Sequence, residues 1–157
     1  DIDPSVFSFL EQNTGMNIQQ ITDMLNKQSG LLGISELSND CRTIKEAADQ
    51  GHEGAKLALE IFAYRLAKYV AAMTVASGGL DVFVFTGGIG ENSDTIRAKV
   101  LAYLGFLGLE LDNEANLAAR FGSAGLISSS NSKVQALVIP TNEELMIAQD
   151  TARLTGL

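Results

Sequence analysis

Four consecutive β-forming apolar residues, Val82-Phe83-Val84-Phe85, run straight into Thr86-Gly87-Gly88-Ile89-Gly90-Glu91-Asn92-Ser93, and a helical pattern begins directly afterwards. A short strand that is apolar at every position reads as a central parallel strand covered on both faces. The segment 86–93 reads as a glycine-rich loop. Glycine lets the backbone take positive φ and lets a ligand approach with no Cβ in the way. A helix N-terminus adds free N–H groups and a partial positive charge. Such a strand, loop and helix suit a nucleotide or its phosphates. The loop lacks the Gly-Lys-Ser/Thr ending of a P-loop, and Ser93 stands where a dinucleotide fingerprint has its third glycine. A tight strand-to-helix turn capped by Asn92 or Ser93 is the plain alternative.

The rest of the chain supplies the layers around this strand. Asp3 with Pro4 opens a helix, and Asn17 with Gln20 forms a capping box for a second. Ile18, Ile21, Met24 and Leu25 give that second helix a buried face, and Gly30 ends it. Residues 29–35 read as a glycine-punctuated apolar turn or short strand. Asp40 opens a helix over about residues 40–50. A long helix follows from Glu53 to Ser77, with Leu59, Phe62, Ala63, Leu66, Val70 and Met73 at spacings of three and four and Gly78-Gly79 as its stop. From Tyr69 onward it is apolar nearly all round, which predicts burial on two sides, against a sheet or a second subunit. The helix after Ser93 runs to about Leu104 with Ile96 and Val100 facing in. Leu126-Ile127 and residues 134–139 are further strands, and Thr141 with Glu144 forms a capping box for a last helix carrying Leu145, Ala148 and Ala152 on one side. Strands alternating with helices predict an α/β fold with a mostly parallel central sheet flanked by helices.

Composition narrows the function. The 157 residues carry a net charge of −8, which disfavours nucleic acid and anionic membrane. A bound phosphate must then be held locally, by backbone N–H groups, a metal ion or one placed arginine. Cys41 is the single cysteine and His52 the single histidine. No internal disulfide can form, which fits a reducing, cytoplasmic setting. A zinc site with two histidines is excluded. No apolar run is long enough to span a bilayer. The chain opens Asp1-Ile2-Asp3-Pro4 without methionine or a leading strand, as a piece of a longer protein would.

Two further groups can carry chemistry. In Asp40-Cys41-Arg42, a carboxylate can accept both ribose hydroxyls and a guanidinium can stack on a base or bind phosphate. Equally, Asp40 can be a helix cap and Arg42 a surface charge, and Cys41 reads as a packing residue. In Pro140-Thr141-Asn142-Glu143-Glu144, acids at the C-terminal end of a strand can hold magnesium through water. With Glu144 assigned to the capping box, Glu143 is the candidate, and a solvated first-turn acid is its alternative. His52 reads as a turn residue between helices.

These segments together resemble the acetokinase family of small-carboxylate kinases. Residues 85–93 and 140–145, then Ile147-Ala148-Gln149-Asp150-Thr151-Ala152-Arg153-Leu154, look like its signatures. Asp1-Ile2-Asp3-Pro4, residues 29–33 and Phe62-Ala63-Tyr64-Arg65 match in order and rough spacing. The resemblance implies the C-terminal domain of an actin, sugar kinase and Hsp70 ATPase-like fold. Residues 1–140 would be its nucleotide-binding part and residues 141–157 a terminal helix packed on an N-terminal domain. It implies ATP or ADP with Mg2+ as cofactors, transfer of phosphate between ATP and a short carboxylate, and a homodimer. Gly88, Ile89, Gly90, Glu91 and Asn92 would form the adenosine side of the nucleotide site, with Ile96 walling the adenine and Asp40, Cys41 and Arg42 as a second nucleotide-contacting segment. The family has a larger apolar residue where Cys41 stands. Glu143 falls on the magnesium-associated glutamate. The family's catalytic arginines, aspartate, histidine and carboxylate pocket lie upstream of these segments, so this stretch alone is expected to lack phosphoryl transfer. Acetate is the expected substrate of the parent, with propionate as the nearest rival and butyrate further off. A dimerising nucleotide-binding module without chemistry is the reading of another class.

Overall fold

The computed structural model describes residues 2–156, so Asp1 and Leu157 fall outside it. The chain forms two compact units, Asp1–Phe62 and Ala63–Leu157.

The first unit is helical. Helix α1 is Ser5–Thr14, and the carboxylate of Asp3 accepts from the Ser5 amide at its start. Helix α2, Ile18–Asp23, opens with the expected reciprocal box between Asn17 and Gln20. It does not stop at a simple glycine end. It widens into a π-helical turn, Met24–Gln28, whose Met24 carbonyl accepts from the Ser29 hydroxyl at 3.1 Å. Of its expected apolar face, Ile21 is buried, Met24 and Leu25 are half-buried and Ile18 is exposed. Residues 30–35, expected as a turn or strand, form helix α3, Gly30–Ser35. Leu31, Leu32 and Ile34 are half-buried there, so packing overrides the low helix propensity of two glycines. Helix α4 is Cys41–Asp49. Ile21, Ile44, Ala55, Ala58 and Leu59 are the buried apolar residues of this unit.

Helix α5, Glu53–Ser77, has the length expected of it. His52 is more than a turn residue, since its Nδ1 accepts from the Ala55 amide at 3.1 Å and caps the helix. The buried stripe is Ala55, Ala58, Leu59, Ala63 and Ala67, at the three-four spacing of a helix face. The stop is the expected one: Gly78 and Gly79 both take positive φ, and the Gly79 amide closes on the Thr74 carbonyl. The apolar second half, however, lies open. Tyr69, Met73 and Val75 are exposed.

The second unit holds one three-stranded sheet among the described residues, in the order β1-β3-β2. Strand β1 is Val82–Phe85, β2 is Gly125–Leu126 and β3 is Gln135–Val138. β1 and β3 run parallel with Val82 opposite Gln135 and Phe85 opposite Val138, whereas β2 is antiparallel to β3. The sheet is therefore mixed, not mostly parallel. Strand β1 is at its edge and only half covered: Val82 and Val84 are 45% and 40% exposed, while Phe85 is buried and its ring lies 4.5 Å from that of Phe83. The all-apolar run thus has one open face, because a strand's alternate residues point to opposite sides. Helices α6 (Gly87–Asn92), α7 (Asp94–Tyr103) and α8 (Asn113–Ala118) lie between β1 and β2, and α9 (Glu143–Thr155) follows β3. Ile96, Val100, Leu101, Leu104, Ile127, Ala136 and Val138 are among this unit's buried residues.

Candidate functional site

The segment expected as a loop is a short helix. Gly87 takes a φ of 70° and turns the chain from β1 into α6. Two side chains then hold the ends of this six-residue helix. At its start, the Glu91 carboxylate accepts from the Gly87 amide at 2.8 Å. At its end, Arg97 donates through Nη1 to the carbonyl oxygens of Gly90 and Glu91 at 2.8 and 2.9 Å. A helix this short leaves nearly all its terminal N–H and C=O groups without partners of its own, so these bonds explain why a glycine-rich stretch is helical at all.

The glycines differ in what they are for. A Cβ on Gly90 would sit 3.3 Å from the Phe85 carbonyl carbon, so Gly90 is needed for close packing of α6 on the end of β1. A Cβ on Gly88 would meet open space, and Gly88 is exposed. Ile89 is exposed beside it. Glu91 is half-buried and Asn92 is exposed. Asn92 is not a helix cap: its Nδ2 donates to the Gly88 carbonyl, and its Oδ1 accepts from the amide of Phe121 at 3.1 Å. Ser93 is the cap of α7, accepting from the Ile96 amide. Ile96 is 2% exposed and belongs to the core.

Arg97 is the residue that motif reading missed. It is fully buried, and all five of its N–H donors are matched. Nε donates to Asn116 Oδ1 at 2.7 Å, Nη2 to the carbonyl oxygens of Asn116 and Ala119, and Nη1 to the two carbonyls of α6. Its charge thus faces the C-terminal ends of α6 and α8, where helix dipoles are negative. Burial pushes its pKa below the ordinary arginine value, opposed by the charge of Asp94. The signal was available: position 97 shares a helical face with Leu101 and Leu104, and an arginine among core positions needs buried acceptors.

Glu91 joins two of the three expected constellations. The same Oε1 that caps Gly87 accepts from the Thr141 amide at 2.9 Å and the Thr141 hydroxyl at 3.0 Å. These bonds, the Thr141 amide first, hold the Glu91 carboxyl below its usual range. With Thr141 so engaged, the expected box between Thr141 and Glu144 does not form. Asn142 caps α9 instead, its Oδ1 accepting from the Leu145 amide at 3.0 Å. Glu143 is the first residue of α9 and is exposed, as is Glu144. No cluster of three histidine, cysteine or acidic side chains suited to a metal occurs among the described residues.

In the first unit Asp40 caps α4, accepting from the amides of Arg42 and Thr43, while the Arg42 guanidinium returns to its carboxylate at 2.9 Å. The Arg42 side chain foremost, then the two amides, lower its pKa to about 2. Cys41 is half-buried, and burial raises its thiol pKa, the behaviour of a packing residue, not a nucleophile. No described helix is long and apolar enough to cross a membrane.

Comparison with known proteins agrees with the motifs. The Acetokinase family pattern matches residues 1–149. Acetate kinase 1 of Neisseria meningitidis (serogroup A) is 71% identical over all 157 residues, which cover 39% of that relative. The crystal structure of Porphyromonas gingivalis acetate kinase superposes with a TM-score of 0.88 at 44% identity, over 99% of this chain and 39% of that one. A propionate kinase from Francisella tularensis gives a TM-score of 0.86 at 48% identity, over 95% of this chain and 37% of that one. The chain therefore spans about two-fifths of the length of the curated relatives it matches.

Proposed function

The chain belongs to the acetokinase family, and we propose that it is the nucleotide-binding part of an acetate kinase, which transfers phosphate between ATP and acetate to give acetyl phosphate and ADP. The observation that carries this reading is the exposed backbone at Gly88, open where a Cβ would stand, at the head of a short helix fixed from inside by Glu91 and Arg97. A rigid, side-chain-free surface lets a ligand approach without ordering the protein first.

On this reading Gly88, Ile89, Gly90, Glu91 and Asn92 make the adenosine side of the site. Ile96 supports the adenine wall from the core. Asp40, Cys41 and Arg42 form a second nucleotide-contacting segment. Glu143 serves Mg2+: a single exposed carboxylate fits an ion that keeps water and phosphate ligands in preference to a protein cage. Bound there, the ion would supply charge neutralisation to the phosphates. The protein's own part is to hold the adenosine end and the acidic end in fixed register. Groups that act on the carboxylate substrate belong to the rest of the parent enzyme, so this stretch binds nucleotide without turning it over. The parent is a cytoplasmic homodimer on this reading, with the terminal helix packed on its N-terminal domain.

Thermal melting with ATP, ADP and AMP tests it. All three should raise the midpoint, because a ligand that binds only the folded state stabilises it. No shift at millimolar nucleotide would remove the reading for this chain. Propionate as the parent's substrate is favoured by one observation, the likeness to the Francisella tularensis propionate kinase. The ratio of kcat/KM for acetate and propionate in the full-length enzyme decides between the two.

A further inference from the structure

We propose that Glu91 is a positioning residue that locks the start of α9, and with it Glu143, to the glycine turn. The proposal rests on the nucleotide-binding reading above and goes beyond it by assigning Glu91 a task other than touching nucleotide.

Three donors from two distant parts of the chain converge on one oxygen. Glu91 Oε1 takes the Gly87 amide, the Thr141 amide and the Thr141 hydroxyl, all between 2.8 and 3.0 Å. On its other side, the Glu91 carbonyl is held by the buried Arg97. Glu91 is therefore fixed at both ends, and Thr141 is fixed to it. Thr141 stands between Pro140, whose ring restricts φ, and Asn142, which caps α9. Glu143 follows at the first helical position. Little else can set this helix end, because every residue from 141 to 151 is exposed. Side-chain packing does not fix the start of α9, whereas hydrogen bonds to Glu91 do. A carboxylate is suited to this, since charge-assisted acceptors hold donors more firmly than neutral ones.

Two measurements on the purified protein, with Glu91→Ala, Thr141→Val and Thr141→Ser, test the lock. The first needs no nucleotide. Amide hydrogen exchange at Thr141, Leu145 and Met146, whose amides are bonded at this helix end, should quicken by roughly tenfold or more in Glu91→Ala and less in Thr141→Val, which keeps the amide bond. Exchange in α7 should stay unchanged, and Thr141→Ser should behave as wild type. Unchanged exchange at Thr141, Leu145 and Met146 in Glu91→Ala overturns the proposal, and so does equal quickening throughout α7. The second is calorimetric titration with ADP, with and without Mg2+. Thr141→Val should weaken Mg-ADP by roughly tenfold while metal-free ADP changes by less than about threefold, with Thr141→Ser restoring both. An equal loss in both titrations overturns it. If the wild-type protein binds no ADP, the nucleotide reading fails, and the exchange result still decides whether Glu91 locks α9.

Discussion

Arg97 donates from Nη1 to the carbonyl oxygen of Gly90 at 2.8 Å, so a guanidinium that solvent does not reach holds the end of the glycine turn. Replacing it should be among the most damaging single changes in this unit. Arg97→Ala leaves the carbonyls of Gly90, Glu91, Asn116 and Ala119 without their donor, and buried acceptors left unpaired cost about 1–3 kcal/mol each. A loss of at least about 3 kcal/mol is expected in urea unfolding, and Arg97→Lys should recover only part of it, because one ammonium cannot reproduce a five-donor fork. Wild-type stability in Arg97→Lys would show that charge alone suffices.

Gly90 and Gly88 should separate packing from binding. Gly90→Ala places a Cβ 3.3 Å from backbone of Phe85, and overpacking of this kind costs about 1–3 kcal/mol. Gly88→Ala meets nothing and its φ lies outside the left-handed region. It should be neutral or stabilise by up to about 1 kcal/mol by restricting the unfolded chain. If nucleotide approaches the backbone at Gly88, the same substitution lowers ADP affinity. Melting and calorimetry on the two variants read both effects, and an unaltered ADP affinity in Gly88→Ala would move the ligand away from that face.

The Asp40 carboxyl titrates at about 2 instead of near 3.8, chiefly because Arg42 bonds its charged form. A folded-state value below the unfolded one means that the ionised group favours folding. The contribution is complete above the unfolded value and disappears as pH falls from there towards 2. Asp40→Asn keeps an acceptor for the cap but does not titrate. Urea midpoints measured between about pH 2 and 5 should therefore fall less steeply in Asp40→Asn than in wild type. Parallel curves would mean that the Arg42 pair contributes nothing in solution, a common outcome for exposed pairs.

His52 anchors the other long element. Its Nδ1 takes the Ala55 amide at the start of α5. Losing a cap costs about 1 kcal/mol, so His52→Ala should lower the midpoint modestly and His52→Asn, a good capping residue, should restore it.

Much of this protein is written locally. Asn17 and Gln20 predict their capping box, Asp40 its helix, Gly78-Gly79 the end of α5, and residues 82–85 a strand, because each depends on neighbours a few positions away in the chain. The order of motifs likewise identifies the family. The failures share one cause. Residues 30–35 and 87–92 look like turns by glycine content, yet they are helices because Leu31, Leu32 and Ile34 pack and because Glu91 and Arg97 supply the missing helix-end partners. Thr141 looks like a cap but is taken by a carboxylate fifty residues away. Local pattern determined where α2, α4, α5 and β1 lie. Tertiary structure alone decided that β1 is an edge strand in a mixed sheet, and that the Glu91 carboxylate takes Thr141 and leaves the capping of α9 to Asn142. Each of those depends on which donor meets which acceptor, and that pairing exists only once distant segments have folded together.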